Sequence, residues 1–225
     1  RDPYLRRARN CAELTSPYLM PQEGHNEHSV MPEPYQGLGA RAVVSLSARL
    51  MVAMYPPGKP SFKLDIPPEQ RIAQGEMAIG TDIVQGLVLS EQLIQAEIER
   101  KQWRRSTNLA LQYLLVTGNA LEMMQPDNSI RVFRLDQYCV SRDITGAVKE
   151  IITEEYLSPE ALPESARKLV AADDFSQNSV PLYTHCKMDK TGVFVCYQEI
   201  NGKKVAGSEG KYETLPYNAL RYTSV

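Results

Sequence analysis

An α+β fold, helical first and β-rich afterwards, is what this 225-residue sequence predicts, on three observations. Apolar residues recur at helical spacing through the first half, most clearly from Leu38 to Met54. After Gly118-Asn119 the period changes from helical to alternating. Turn signals at Asp189-Lys190-Thr191-Gly192 and Asn201-Gly202 then separate the alternating runs as hairpin connections do.

The first helix is expected from Asp2 to about Leu14, with Asp2 as N-cap, Pro3 at the first helical position and Thr15-Ser16-Pro17 as its end. Met20 to Gln36, rich in Pro, Gly, His, Asn and Glu, reads as a long surface loop. The second helix opens at Gln36-Gly37-Leu38-Gly39-Ala40-Arg41 and stops at Pro56-Pro57-Gly58. Leu38, Ala42, Leu46, Leu50 and Met54 form its stripe, widened by Val43, Met51 and Ala53, so burial on more than one side is expected. Phe62 to Ile66 alternates and predicts a short strand. A helical region follows from Pro68 to Thr117, with breaks expected at Gly75, Gly80 and Gly86. Its clearer pieces are Ile83–Trp103 and Ser106–Thr117, the latter stopped by Gly118.

Strands are then expected at Asn119–Gln125, Ile130–Leu135, Tyr138–Arg142 and Ala147–Tyr156, with turns at Pro126–Ser129 and Asp143–Gly146. Ser158-Pro159-Glu160 opens a short amphipathic helix reaching Val170, and Ala171 to Ser179 reads as a polar loop. Val180–Met188 and Val193–Ile200 form the strongest hairpin, and Lys203–Ala206 a third strand. No internal repeat or low-complexity segment is visible.

With 43% hydrophobic residues the chain can bury roughly 70% of its unfolded surface. A formal net charge of −2 argues against a free nucleic-acid binder, which usually carries a basic excess. No apolar run is long enough to span a bilayer, and the first residues lack the apolar core of a signal peptide. With no initiator Met, the chain is expected to be a piece of something longer.

Few residues suggest chemistry. His25 and His28 sit three apart and would share a metal if helical, but they lie in a Pro/Gly-rich loop with no third ligand; they carry the alternative of a metal-dependent hydrolase. His185 and Cys186 are strand neighbours whose side chains point to opposite faces, which favours a structural role over a nucleophile pair. Arg100-Lys101-Gln102-Trp103-Arg104-Arg105 is basic with an aromatic inside, which makes Arg100, Lys101, Arg104 and Arg105 candidates for a DNA or an inter-subunit contact. The preceding Glu91, Glu97 and Glu99 and the helix dipole favour the inter-subunit or solvated reading over a nucleic-acid-binding module. Gly37-x-Gly39 lacks the third glycine of a dinucleotide loop, and no P-loop or G-x-S-x-G is present, so no catalytic, cofactor-binding or metal residue is assigned.

Cys11, Cys139, Cys186 and Cys196 form no C-x-x-C pair. If the hairpin turn is centred between Lys190 and Thr191, His185 faces Cys196 and Cys186 points to the other face; a one-residue bulge would bring the two cysteines opposite one another. Without secretory context all four are expected to be thiols.

Ordered pieces along the whole chain carry a resemblance. Asn10-Cys11-Ala12 lies on the first helix, followed by Pro17 and Pro21; Gly39-Ala40-Arg41, Leu50-Met51 and Pro56 mark the second. Ala110-Leu111 and Gly118-Asn119 mark the change to strands, then Arg134-Leu135, Tyr138, Val140, Arg142-Asp143 and Gly146 follow. Tyr183-Thr184-His185, Gly207-Ser208, Gly210, Tyr212, Pro216-Tyr217 and Arg221 complete the series, while Gly58 to Gly80 and Cys139, Cys186 and Cys196 fall outside it. In their order and spacing these pieces resemble the portal (head-to-tail connector) proteins of short-tailed, autographivirus-type bacteriophages.

The resemblance implies a structural ring subunit, usually a dodecamer, at the capsid vertex of the virion, assembled in the host cytoplasm. It implies a channel for double-stranded DNA packaging and ejection, and the major capsid protein, scaffolding protein, terminase and tail adaptor as partners, with no membrane, cofactor or catalysis. Residues 1–118 would form the mainly helical part of a wing and 119–225 its β-rich part, with stem, clip and crown absent from this chain.

Overall fold

The computed structural model describes residues 1–25, 29–57, 59–67, 81–170 and 179–222. Among the described residues, four long helices come first: α1 (Asp2–Leu14), α2 (Leu38–Met54), α3 (Thr81–Arg100) and α4 (Trp103–Thr117). The strands follow: β1 (Asn119–Met124), β2 (Ile130–Phe133), β3 (Tyr138–Arg142), β4 (Val148–Leu157), β5 (Val180–Met188), β6 (Phe194–Ile200), β7 (Lys203–Lys204), β8 (Gly210–Tyr212) and β9 (Tyr217–Arg221). A four-residue helix, α5 (Glu164–Arg167), lies between β4 and β5. This is the α+β order that the sequence predicts.

Helix α1 begins one residue earlier than expected. Arg1 is the N-cap, without a side-chain bond, and Asp2 and Pro3 occupy the first turn, where a carboxylate suits the dipole and a missing N–H costs nothing. Ala8 and Ala12, four residues apart, are the buried face, and they pack with Ala110, Tyr113 and Val116 of α4, Val43 of α2, and Leu19 and Met20. The small alanines allow close approach. So does Gly39: a Cβ there would lie 2.8 Å from the Leu14 carbonyl oxygen, so the first turn of α2 can rest on the end of α1 only without a side chain.

Gln102, with φ 54°, breaks the helical region between α3 and α4. Gly118 ends α4 in the left-handed conformation at φ 75°, its N–H donating to the Leu114 carbonyl at 3.0 Å. Gly86 does not break α3 as expected; Gly75 and Gly80 lie outside the described residues. Phe62–Ile66 is extended but not a strand. It has no ladder partner among the described residues; the Leu64 N–H instead donates to Glu91 Oε1 of α3 at 2.5 Å, and Ser61 Oγ to Gln95 Oε1 at 3.3 Å. The alternation is real, since Phe62, Leu64 and Ile66 are half-buried and Lys63 and Asp65 exposed, but the surface it reads is a helix.

Among the described residues two antiparallel sheets follow. The first has the order β2-β1-β9, with Leu121 opposite Phe133 on one side and Ala219 on the other. The second has the order β3-β4-β5-β6-β7, with β8 also on β6. Leu121, Phe133, Tyr138, Ile151, Cys186, Phe194, Cys196 and Tyr217 form the core that joins them. Arg142 also bridges them, donating to the Gly146 and Ala219 carbonyls at 2.9 Å each. A further cluster, including Leu162, Ala166, Val180, Leu182, Ile200 and Val205, seats α5 against the second sheet. The expected helix to Val170 is split: a 3-10 turn at Pro159–Ala161 and then α5, because Pro163 cannot continue the first piece. Most of the Ala171–Ser179 loop lies outside the described residues.

The β5–β6 hairpin corrects the expected register. The Asp189 N–H donates to the Val193 carbonyl at 2.8 Å, and Gly192 has φ 85°, so the loop has three residues with a left-handed glycine. Cys186 therefore faces Cys196, and the two are joined by a disulfide, contrary to the expectation of four thiols; Cys11 and Cys139 are free. His185 faces Tyr197 rather than Cys196, and their rings stack at 5.0 Å.

Candidate inter-subunit surface

The basic run at the α3–α4 junction is mostly consumed within the chain. Arg100 pairs with Glu97 at 2.7 Å, one turn back on α3, and this bond holds the Glu97 carboxyl below its usual range. Lys101 reaches Asp127 in the β1–β2 turn at 3.1 Å. The Asp127 carboxylate also accepts bonds from the Ser129 hydroxyl and amide; these, with Lys101, hold its pKa down to about 2. Trp103 Nε1 donates to the Asn128 carbonyl at 2.7 Å, and Asn128 takes the left-handed conformation at φ 63°. Arg104 pairs with Glu99 at 2.8 Å, donates to the Tyr55 carbonyl at 3.3 Å, and lies over the Tyr55 ring. Together these groups fasten the end of α3 to the β1–β2 turn and to the end of α2. Arg105 is exposed and has no ion-pair partner among the described residues.

His28 lies outside the described residues, and among the described residues there is no group of three or more His, Cys, Asp or Glu placed to hold a metal. His185 Nε2 is 3.6 Å from Glu199 Oε2, across the hairpin and away from Cys186. No helix of the described residues is long and apolar enough to cross a membrane. Elsewhere the ionisable groups serve packing: Glu122 of β1 is pushed up by burial, partly offset by the Asn218 amide, and Tyr183 is pushed up to about 12 by its bond to Glu154.

The unexpected feature is apolar surface on two helices. On α2 the buried residues are Val43 and Ser47, while Leu38 is 65% exposed and Val44, Leu46, Val52 and Met54 are exposed too. The sequence-predicted stripe of Leu38, Ala42 and Leu46 faces outward in the single chain; the helix sits on α4 through its other side. On α3, Ile98 is buried, while Ile83, Val84, Val88, Leu89, Leu93 and Ile94 are exposed, Leu93 at 72%. Exposed apolar residues scattered singly are ordinary; two helices that each leave five or six uncovered mark an interaction surface. The breadth of the α2 stripe was the sequence signal for this surface, but periodicity does not say whether a face is covered by the same chain or by another.

Comparison with known proteins agrees with an interaction role. The family described as bacteriophage head to tail connecting protein matches residues 1–225. The chain is similar to the portal protein of Escherichia phage T7, at 32% identity over 98% of this chain and 43% of that protein. It is similar to the portal protein of Enterobacteria phage T3, also at 32%, over 99% of this chain and 43% of the relative. The portal protein of Pseudomonas phage phiKMV is 30% identical over 92% of this chain and 42% of its own length. The chain thus spans less than half the length of these relatives.

Proposed function

Because this chain belongs to the bacteriophage head to tail connecting protein family, we propose that it is the N-terminal, wing part of a portal subunit. Residues 1–118 are the mainly helical part of that wing and 119–225 the β-rich part. In this reading the full-length protein is structural and not catalytic. It closes into a ring, a dodecamer, at the capsid vertex of the virion, through which double-stranded DNA is packaged and ejected and to which the tail is joined. The ring assembles in the host cytoplasm, with the major capsid protein, scaffolding protein, terminase and tail adaptor as its partners.

The observation that carries this reading is the outward apolar surface of α2 and α3. A subunit that works by standing beside copies of itself needs such a surface, and in a ring the contact is heterologous and closes by rotation. A net charge of −2 also suits a passage along which DNA slides, since many tight phosphate contacts would hold it. Arg105, which has no ion-pair partner among the described residues, is assigned to a neighbouring subunit or to passing DNA; Arg100, Lys101 and Arg104 act mainly by fixing the surface from which it projects.

Electron microscopy and analytical ultracentrifugation of the full-length protein test the reading. Closed rings are the expected outcome; a strictly monomeric full-length protein at high concentration overturns it.

A further inference from the structure

We propose that α2 of one subunit packs against α3 of its neighbour, so that the subunit contact joins two unlike helix faces of the same chain. This inference rests on the ring reading above and names the surfaces that make it. On α2 the residues Leu38, Arg41, Ser45, Arg49 and Val52 follow helical spacing along one face, and all are exposed. That helix carries no carboxylate, and among the described residues neither arginine has an ion-pair partner. On α3 Asp82, Leu89 and Leu93 share a face, seven and then four residues apart, and all are exposed. The charges of α3 are Asp82, Glu91, Glu97 and Glu99 against Arg100 alone. Glu97 is taken by Arg100 and Glu99 by Arg104, whereas Asp82 has no ion-pair partner among the described residues.

The α2 face therefore carries two arginines without an ion-pair partner among the described residues, and the α3 face one such aspartate beside two leucines. The charges favour unlike faces: α2 against α2 brings arginines together, whereas α2 against α3 can set an arginine opposite Asp82. A like-with-like contact would also be isologous and would end assembly at a dimer, whereas α2 against α3 leaves a free face at each end to receive the next copy. The lengths agree as well. At 1.5 Å per residue the 17 residues of α2 extend about 25 Å and the 20 of α3 about 30 Å, so the contact can run the length of both. Within one chain each helix borders α4, which leaves both outward faces available.

Disulfide trapping in the full-length protein, with its other exposed cysteines replaced by serine, tests the pairing. With Val52→Cys and Leu93→Cys in the same chain, oxidation is expected to give a denaturant-resistant ladder from dimer up to the ring, while each single variant stays monomeric. Dimers in a single variant, or monomer alone in the double variant, overturn the pairing. A second measurement uses charge: Arg41→Glu with Arg49→Glu is expected to raise the concentration needed for assembly by roughly tenfold, equivalent to about 1.4 kcal/mol per contact, and adding Asp82→Lys to recover part of it. Unaltered assembly, or no recovery, counts against the pairing. Rings of the unmodified protein by electron microscopy, alongside a failed trap, reject this pairing while leaving the ring intact; absence of rings in the unmodified protein rejects the ring itself.

Discussion

Helices α2 and α4 are both rich in apolar residues, yet the chain uses them in opposite ways. Helix α4 buries Thr107, Ala110, Tyr113 and Val116 and half-buries most of its remaining residues, with α1, α2 and β1 around it. Helix α2 buries Val43 and Ser47 and turns Leu38, Val44, Leu46 and Val52 to the outside. The one is a core element that the fold needs; the other is a fold element on its inner side and, in the proposed ring, an assembly element on its outer side. Hydrophobic spacing is set by what covers a face, and it is the same whether the cover comes from this chain or from the next.

That contrast can be broken or sharpened by substitution. The largest effect is expected in the shared core: Phe133→Ala, at a side chain 2% exposed, should cost about 3–5 kcal/mol in denaturant unfolding and lower Tm accordingly. Val52→Ser on α2 should change the unfolding free energy of the unassembled chain by no more than about 0.5 kcal/mol while weakening assembly of the full-length protein. If instead it destabilises the unassembled chain as Phe133→Ala does, the division between the two helices is wrong. Gly39→Ala lies between these cases, at about 1–3 kcal/mol, because the new methyl meets the Leu14 carbonyl although alanine is the better helix former.

Smaller effects are expected at the junction. Trp103→Phe removes the bond to the Asn128 carbonyl and should cost about 0.5–1.5 kcal/mol. The Asp127 carboxyl, held down to about 2 from an ordinary 3.8, is a depressed acid; its contribution is therefore complete above the ordinary value and is lost as pH falls through about 2. The Tm difference between the native protein and Asp127→Asn should thus shrink between about pH 4 and pH 2, and a carbon-13 titration of the carboxyl should show the low midpoint.

The parts that were legible in the sequence are those set by near neighbours. Gly118 as a helix stop, the turns at 126–129 and 143–146, and the β5–β6 hairpin all follow from residues a few positions apart. What was not legible depends on distant partners. Strand β9 was not expected because Tyr217–Arg221 is short and pairs with β1, about a hundred residues earlier. The hairpin register turned on one residue of loop, enough to exchange His185 for Cys186 opposite Cys196. The basic run from Arg100 to Arg105 suggested an external contact, but its counter-ions Glu99 and Asp127 and its backbone acceptors at Tyr55 and Asn128 are assembled mainly by the fold. The chemical candidates remained few for a simple reason: the proposed contact surface is largely leucine, valine and isoleucine, which form no catalytic motif.

The pairing of Asn119 with Arg221 sets a timetable for synthesis. Strand β1 leaves the ribosome about a hundred residues before the strand that will cover its open side. At translation rates of about 5–20 residues per second, that edge waits roughly 5–20 seconds. During this interval β1, already joined to β2, offers bare N–H and C=O groups to whatever strand comes first. On a polysome the nearest competitor is the same strand in the adjacent nascent chain. The yield of native chains should therefore fall where ribosomes are closely spaced and rise when initiation is slowed.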